Sequence, residues 1–327
     1  MTAEPQLQLR GVSRHFPLSG QRILKAVEDI DLEIVEGETF GLVGESGCGK
    51  STLGRTIKGI YKPTAGTIKF EGQDITSHGR QAGRAYSRQM QMIFQDPYSS
   101  LNPRMTVREL ISEGLEIHRV GDRRRRLSMV EEMMGLVGLD SGYMNRFPHE
   151  FSGGQRQRIA IARALVLSPD FVICDEPISA LDVSIQGQIV NLLKDLQRRI
   201  GMTYLFIAHD LSVVKYISDR VGVMYLGRLV ETAPKKQLFD NPRHPYTRAL
   251  LSSVPIPDPK RERARVELTL QGELPSPMQR ITGCAFRTRC PLATEACASM
   301  VPELTEVAPG HRVMCILHGT PSRAMTK

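Results

Sequence analysis

Apolar residues fall into short runs along the chain, and the spacing within these runs predicts alternating strands and helices. Continuous apolar runs occur at 39–43, 171–174 and 204–208, and such runs are typical of parallel strands that are covered on both faces. Between the last two runs, apolar residues recur at helical spacing over 184–200, which predicts an amphipathic helix. The pattern therefore predicts an α/β fold with a mostly parallel sheet at its core.

Two further patterns predict structure outside that sheet. Residues 7–16 and 26–35 alternate in the manner of strands, which predicts an antiparallel β layer. Residues 96–150 carry Met, Leu and Glu without strand signals. We therefore expect an inserted helical subdomain at about 96–167.

The last part of the chain has a different composition. Repeated prolines from residue 241 onward interrupt any long helix or strand, which predicts an irregular extension. We expect an α/β domain at 1–240 and a C-terminal extension at 241–327.

A glycine-rich loop with the sequence GESGCGKS follows the first buried strand. A predicted helix at 50–60 continues from it, which is the context that a phosphate-binding loop requires. Glycines let backbone N–H groups surround phosphates, Lys50 adds positive charge, and the Ser51 hydroxyl can bind Mg²⁺. The candidate nucleotide-binding residues here are Gly44, Glu45, Ser46, Gly47, Cys48, Gly49, Lys50, Ser51 and Thr52.

Polar residues at the ends of other predicted strands are candidates for the chemistry. A carboxylate such as Asp175 can hold Mg²⁺, and the next acid, Glu176, can polarise an attacking water. Gln95 can join the Mg²⁺ or water shell, and His209 can hydrogen-bond a γ-phosphate. Each of the last two residues would be unremarkable singly, so their weight comes from their order along the chain. The candidate catalytic residues are Glu176 and His209.

A Ser-Gly-Gly-Gln sequence then begins a predicted basic helix. With the groups above in this order, the chain resembles ATP-binding-cassette ATPases over about residues 6–240. The commonest signature of that family begins with Leu, where this chain has Phe151. The resemblance assigns four residues to the signature and four to the D-loop: Ser152, Gly153, Gly154 and Gln155, and Ser179, Ala180, Leu181 and Asp182.

The resemblance also implies cofactors. It implies ATP with Mg²⁺ held through Ser51, Gln95 and Asp175, and it implies that an aromatic ring near the N-terminus stacks on adenine. Phe16 is the best candidate for that ring, with a role as a core residue at a strand end as the alternative.

The signature also predicts a second chain. Its unpaired N–H groups at a helix start form an anion site, so one chain carries two phosphate-binding helix ends. In the family this excess is resolved by head-to-tail pairing, in which one subunit's signature closes on the γ-phosphate bound by the other.

The branch of the family is indicated by the extension. Residues 241–250 and 272–277 resemble the C-terminal region of dipeptide, oligopeptide and nickel importer ATPases, and the chain is most similar to F-type subunits of peptide permeases. The resemblance implies a D-type second ATPase, two membrane permeases that contact residues 96–104, and a periplasmic binding protein. It places the chain at the cytoplasmic face of the inner membrane. Peptides, nickel and opines remain open as substrates.

Four cysteines lie within the extension at the spacing C-x5-C-x6-C-x17-C. In a cytosolic chain such clustering suggests metal thiolates rather than disulfides. Zinc sites often use C-x2-C pairs, which are absent here, and four separated thiolates can ligate a [4Fe–4S] cluster. The resemblance favours that cluster, with zinc and free thiols as alternatives, on Cys284, Cys290, Cys297 and Cys315.

Charge and hydropathy leave one alternative function. The net charge is +8, from 43 Lys and Arg against 35 Asp and Glu, and basic runs at 123–126 and 260–265 lack interleaved aromatics. We expect solvated surfaces and no nucleic-acid partner, but a nucleic-acid-associated cassette ATPase stays the alternative. No apolar stretch approaches the ~20 residues that span a bilayer, and residues 1–16 lack a signal-peptide core, so a cytosolic location is expected.

Overall fold

The computed structural model describes residues 4–19, 22–77, 80–253, 275–276, 278 and 281–318. The basic run at 260–265 and most of the motif at 272–277 lie outside the described residues. The described part of the chain confirms the α/β class that the hydrophobic pattern predicts.

Strands form two sheets, and they follow the predicted order along the chain. The smaller sheet has the strand order β2-β1-β4-β5 and is antiparallel, and the larger has the order β11-β12-β10-β9-β3-β8-β7-β6. The strands are β1 (Pro5–Pro17), β2 (Ile23–Val35), β3 (Thr39–Val43), β4 (Ala65–Phe70), β5 (Gln73–Asp74), β6 (Met90–Ile93), β7 (Phe171–Asp175), β8 (Thr203–Ile207), β9 (Arg220–Tyr225), β10 (Arg228–Pro234), β11 (Thr305–Ala308) and β12 (His311–Val313).

Helices connect these strands and form the predicted insertion. None of the described helices is long and apolar enough to cross a membrane. The helices are α1 (Lys50–Ile57), α2 (Arg80–Gln89), α3 (Pro97–Ser100), α4 (Val107–Ile117), α5 (Arg123–Leu136), α6 (Gly153–Leu165), α7 (Val183–Ile200), α8 (Leu211–Ile217), α9 (Lys235–Asp240), α10 (Pro245–Ser252) and α11 (Ala296–Ser299).

Parallel pairing in the larger sheet creates the edge on which the site is built. The strands β9-β3-β8-β7-β6 run in one direction, and β3, β7 and β8 are buried along their whole length. Because parallel strands end at the same edge, the loops after β3, β6, β7 and β8 meet there.

The helical insertion is confirmed, and its helices start at polar caps. Thr106 and Glu109 form a reciprocal capping box at the start of α4, with the Thr106 N–H donating to Glu109 Oε2 at 2.7 Å. Asp122 accepts a hydrogen bond from the Arg125 N–H at 2.8 Å at the start of α5. Helix α4 packs against α6, so the insertion rests on the helix that begins at the Ser-Gly-Gly-Gln motif.

The C-terminal extension is more regular than its prolines predict. Strands β11 and β12 form a hairpin, and β12 pairs with β10 at the edge of the larger sheet. Pro309 and Gly310 lie in the turn of this hairpin, and Gly310 has a φ of +70°. The proline therefore marks a turn between two strands rather than a break in regular structure.

A buried carboxylate joins the extension to this sheet. Glu231 of β10 is fully buried, and it accepts hydrogen bonds from the N–H groups of Arg243 at 2.7 Å and His244 at 3.0 Å. Nε2 of His311 in β12 lies 2.7 Å from Glu231 Oε1. Burial alone would raise the pKa of Glu231, but His311 and the two N–H groups hold the pKa below its usual value.

His244 is a second buried titratable group in this junction. Its Nδ1 accepts a hydrogen bond from the Tyr246 N–H at 3.0 Å, which caps α10. Burial lowers the pKa of His244 to about 4, so the ring is neutral at pH 7.

We expect the folded chain to lose stability as the pH falls from 6.5 toward 4. The unfolded state binds a proton at His244 near pH 6.5, whereas the folded state resists it down to about pH 4. This difference contributes up to about 3 kcal/mol of stability above pH 6.5, which disappears progressively in acid. The lowered pKa of Glu231 acts in the same direction at lower pH.

Urea unfolding at pH 7 and pH 5 measures this dependence. The His244→Asn variant keeps a capping acceptor but cannot titrate, so its free energy of unfolding should fall less between the two pH values. An equal fall in wild type and variant would contradict the assignment to His244.

Candidate nucleotide-binding and hydrolysis site

The phosphate-binding loop runs from β3 to α1, and two of its glycines are required by close packing. Gly44 has a φ of +154°, and a Cβ there would lie 2.2 Å from the Met224 carbonyl oxygen. Gly49 has a φ of +106°, and its Cβ would lie 2.1 Å from the Ala26 carbonyl oxygen. A side chain at either position would displace backbone, so the loop conformation depends on glycine.

Lys50 lies at the start of α1, where helix N–H groups face the loop. Its Nζ donates to the carbonyl oxygens of Gly44 at 2.8 Å and Glu45 at 3.0 Å. No side chain caps this helix. The loop thus offers free N–H groups and a buried ammonium group, the combination that binds phosphate.

Asp175 ends β7 directly beside the loop. The Ser51 hydroxyl donates to Asp175 Oδ1 at 2.6 Å, and Arg55 Nη2 lies 3.8 Å from Oδ2, which has no hydrogen-bond partner. Burial raises the pKa of Asp175, although the Ser51 hydrogen bond opposes the shift. A hydroxyl, a carboxylate and the amide of Gln95 are the oxygen ligands that suit Mg²⁺, so these residues fit the predicted ion.

The Glu176 carboxylate contacts Gln95 and His209, which lie after β6 and β8. Gln95 Nε2 donates to Glu176 Oε2 at 2.9 Å, and His209 Nδ1 lies 3.4 Å from the same oxygen. Glu176 has a φ of +47°, and its N–H donates to the Ile207 carbonyl oxygen at 3.0 Å. A non-glycine residue in this strained conformation is typical of functional sites. The structure thus brings together the three residues that the sequence predicts beside the γ-phosphate.

A cavity of about 260 Å³ lies between the loop and these residues. Residues from β2 and from the β9–β10 turn form one wall, and no sequence signal pointed to them because they come from ordinary strand and turn positions. The lining residues are Leu24, Lys25, Ala26, Ser46, Gly47, Gly49, Lys50, Ser51, Thr52, Gln95, Glu176, Leu226 and Gly227.

Phe16 is not among the described residues that line this cavity. Its ring packs edge-on against Tyr61 at 5.4 Å between centroids, and the Arg14 guanidinium lies 4.3 Å from the ring centroid. The structure therefore places Phe16 in a small aromatic and cationic cluster at the end of β1, and its stacking on adenine stays a prediction.

The Ser-Gly-Gly-Gln motif begins α6 as predicted. The Ser152 N–H donates to Gln155 Oε1 at 3.1 Å, and the Gln155 N–H donates to Ser152 Oγ at 3.4 Å. A Cβ at Gly154 would lie 2.7 Å from Ile185 of α7, whereas Gly153 is exposed. None of these four residues is among the described residues that line the cavity, so the chain's own motif does not complete its own site.

The segment 177–182, after Glu176, connects the end of β7 to α7. Ser179 Oγ donates to the Glu176 carbonyl oxygen at 3.1 Å, and Gln186 Nε2 donates to the Leu181 carbonyl oxygen at 2.9 Å. Ala180 and Asp182 are exposed. This segment therefore ties the backbone of Glu176 to an exposed surface.

The four cysteines of the extension are near one another and form no disulfide. Burial, together with the smaller effects of the neighbouring Cys297, Cys315 and Cys290, raises the pKa of the Cys284 thiol to about 11. Among the described residues, however, no three His, Cys, Asp or Glu side chains are arranged to hold a metal ion. The metal predicted from their spacing is therefore not supported by this arrangement.

Together these groups form the candidate site of an ATPase with a phosphate-binding loop. Residues 27–179 match the family model described as ABC transporter, and residues 230–297 match that described as Oligopeptide/dipeptide transporter, C-terminal region.

Individual proteins agree with these matches. YkfD of Bacillus subtilis (strain 168) is 55% identical over 315 residues, which are 96% of each chain. The oligopeptide transport ATP-binding protein AppF of the same organism is 53% identical, over 97% of this chain and 100% of AppF. A dimeric post-hydrolysis structure of the ATP-binding cassette MJ0796 with ADP and Pi has a TM-score of 0.65 and 28% identity, covering 70% of this chain and 98% of that one.

The chain belongs to the ABC transporter ATP-binding proteins and carries the C-terminal region of the oligopeptide/dipeptide transporter family. It is an ATP-hydrolysing subunit, and membership implies dimerisation and membrane permease partners.

We expect Gly49→Ala to destabilise the chain more than Gly47→Ala. Both positions have positive φ, at +106° and +78°, but only the Cβ at Gly49 meets backbone, since nothing lies within 4 Å of the position at Gly47. The positive φ alone costs Ala about 1 kcal/mol, and the clash should add at least about 1 kcal/mol more. Urea unfolding without nucleotide measures both values, and equal losses would contradict the packing argument.

Proposed function

We propose that the chain lies at the cytoplasmic face of the inner membrane, where its hydrolysis of ATP powers the import of dipeptides or oligopeptides. The observation that carries this proposal is the presence, in one chain, of a nucleotide site and of the oligopeptide/dipeptide transporter C-terminal region at residues 230–297. AppF is named as an oligopeptide transport protein, and a relative from Brucella ovis, 52% identical, is named for peptide import. We also propose that residues 1–240 form the ATPase domain and that residues 241–327 form the importer-type extension.

In this proposal Glu176 accepts a proton from the attacking water. The hydrogen bond from Gln95 and the nearby imidazole of His209 orient its carboxylate toward the cavity. Lys50 and the loop N–H groups bind the β- and γ-phosphates. When bound, Mg²⁺ would neutralise phosphate charge, and Ser51 and Asp175 with Gln95 would hold it.

A second subunit completes the site. Ser152 and Gly153 are exposed at a helix start outside the cavity, which supports their binding the γ-phosphate of a partner's ATP. The exposed segment 179–182 would then lie at the same interface. We propose a D-type paralogue as the partner, because importers of this type pair two different ATPases.

Residues 96–104 are the proposed contact for the membrane permeases. They include α3, whose Tyr98 side chain is 65% exposed while the Arg156 guanidinium lies 4.1 Å from its ring centroid. Arg163 Nη1 donates to the Ser100 carbonyl oxygen at 2.7 Å, which ties this segment to α6. A permease helix on Tyr98 would thus be coupled both to Gln95 and to the signature helix. A periplasmic binding protein would deliver the peptide to the permeases.

The four cysteines are proposed to hold a [4Fe–4S] cluster. Support comes from their clustering in the extension, where Cys297, Cys315 and Cys290 contribute to the raised pKa of the Cys284 thiol. The spacing C-x5-C-x6-C-x17-C lacks the C-x2-C pairs that are common in zinc sites, which supports the cluster over zinc.

We expect Glu176→Gln to slow ATP hydrolysis at least about hundredfold, because an amide cannot accept the proton from water. ATP binding should persist, so the variant should form an ATP-dependent dimer, with itself or with the second ATPase, in size-exclusion chromatography. Adding Ser152→Arg should abolish that dimer without abolishing ATP binding. In vesicles with the permeases and binding protein, the variant should not support peptide uptake.

Two outcomes would contradict these assignments. Normal turnover by Glu176→Gln would remove the role given to Glu176. Wild-type ATPase activity stimulated by DNA or RNA, or uptake of nickel or opines without peptide uptake, would remove the proposed substrate.

We expect the full chain, purified without oxygen, to contain iron and to show a broad visible absorbance that acid abolishes. Cys290→Ser and Cys315→Ser should lose both, whereas Cys174→Ala should keep them, because Cys174 is buried in β7 away from the extension. A colourless protein with stoichiometric zinc, or one without metal, would overturn the cluster.

A further inference from the structure

Glu45, the second residue of the phosphate-binding loop, has each of its polar groups bonded. Its N–H donates to Tyr246 Oη at 3.0 Å, and its carbonyl oxygen accepts from Lys50 Nζ at 3.0 Å. Its carboxylate accepts from Arg289 Nη1, which lies 3.0 Å from both oxygens. Tyr246 and Arg289 follow residue 240, so the C-terminal extension reaches directly into the nucleotide loop.

The extension presents these two side chains from a packed base. The Arg289 side chain is 7% exposed and that of Glu45 is 23% exposed, so their ion pair is largely removed from water. Tyr246 is fully buried, with its ring centroid 4.6 Å from that of Tyr225 and 5.4 Å from that of Phe286. Charged hydrogen bonds in such a setting are stronger than surface ion pairs.

Neither residue is among the described residues that line the nucleotide cavity. Their influence on the nucleotide must therefore pass through Glu45. A loop rich in glycine has many accessible conformations when free, and only those with its N–H groups turned toward the phosphates bind nucleotide. Holding both the N–H and the carboxylate of Glu45 removes part of that freedom in advance.

We propose that Arg289 and Tyr246 are positioning residues, by which the C-terminal extension holds the phosphate-binding loop ready for ATP. The ATP affinity of this cassette then depends on the docking of a segment that lies outside the ABC transporter match at 27–179. The extension is thereby a structural part of the nucleotide site.

The experiment measures ATP affinity and turnover in the full chain with its permeases. Arg289→Gln should raise KM for ATP and the calorimetric Kd for MgATP about tenfold, while kcat changes less than about threefold, because the hydrolytic residues are untouched. Tyr246→Phe keeps the ring and loses one hydrogen-bond acceptor, so a smaller rise of about threefold is expected. Arg289→Lys should recover part of the affinity.

Matched variants separate positioning from general damage. Arg287→Gln is the control from the same turn, since its Nη2 donates to Thr282 Oγ1 at 3.2 Å and not to the loop; it should leave KM unchanged. The double variant Glu45→Gln/Arg289→Gln should bind ATP no more weakly than the weaker-binding single variant, because both substitutions remove the same ion pair.

Three results would overturn the proposal: an unchanged KM in folded Arg289→Gln, an equal effect of Arg287→Gln, or additive losses in the double variant. If Arg289→Gln does not fold, Tyr246→Phe and Glu45→Gln decide by the same KM comparison. Unchanged ATP binding in these variants would leave the proposed importer function intact, so the two failures are distinguishable.

Discussion

The shared carboxyl edge of the parallel strands is the constraint on which the site depends. Lys50, Gln95, the pair Asp175 and Glu176, and His209 come from distant parts of the chain, yet each lies at or after the end of one of the parallel strands of the larger sheet. Parallel pairing in the order β3-β8-β7-β6 brings those strand ends together. The central strands are fully buried, so the sheet fixes the starting points of the short loops that carry these side chains.

Two acidic residues at this edge, Asp175 and Glu176, are held in environments that are unfavourable without a ligand. Asp175 is removed from water and retains one oxygen without a hydrogen bond, which is costly unless a cation or water satisfies it. Glu176 is held in a strained backbone conformation and shared between an amide and an imidazole. Both features are unfavourable for an isolated fold and favourable for a site that binds Mg²⁺ and a nucleotide. The sheet tolerates them because its core packing is extensive.

The C-terminal extension is attached to the same sheet at β10, toward the opposite end of the strand order from β6. Glu231 joins β10 to the start of α10 and to β12 through buried hydrogen bonds. From that anchor the aromatic cluster around Tyr246 leads to Glu45 in the nucleotide loop. A segment that reads as an irregular appendage is thus continuous with the catalytic domain. Without the extension, β10 would be an edge strand with unpaired backbone N–H and C=O groups, and β12 of the hairpin pairs with these groups.

Local sequence determined much of this protein. The strand at 171–175, the loop at 44–51 and the helix that starts after Ser152 are all readable, because glycine, apolar periodicity and capping act over a few residues. Partners far apart in the chain are not readable in this way. The pairing of Arg289 with Glu45 and the wall formed by Ala26 and Gly227 carry no local signal.

Tertiary structure alone decided those contacts, since they depend on which strand edges pair and which side chains burial leaves facing each other. It also decided that Phe16 packs beside Tyr61 rather than in the cavity wall, and that the extension forms a hairpin on β10. Composition and spacing identify the chemical groups of this protein. Only the packing of the sheet determines which of those groups meet, because their meeting depends on long-range burial and not on sequence distance.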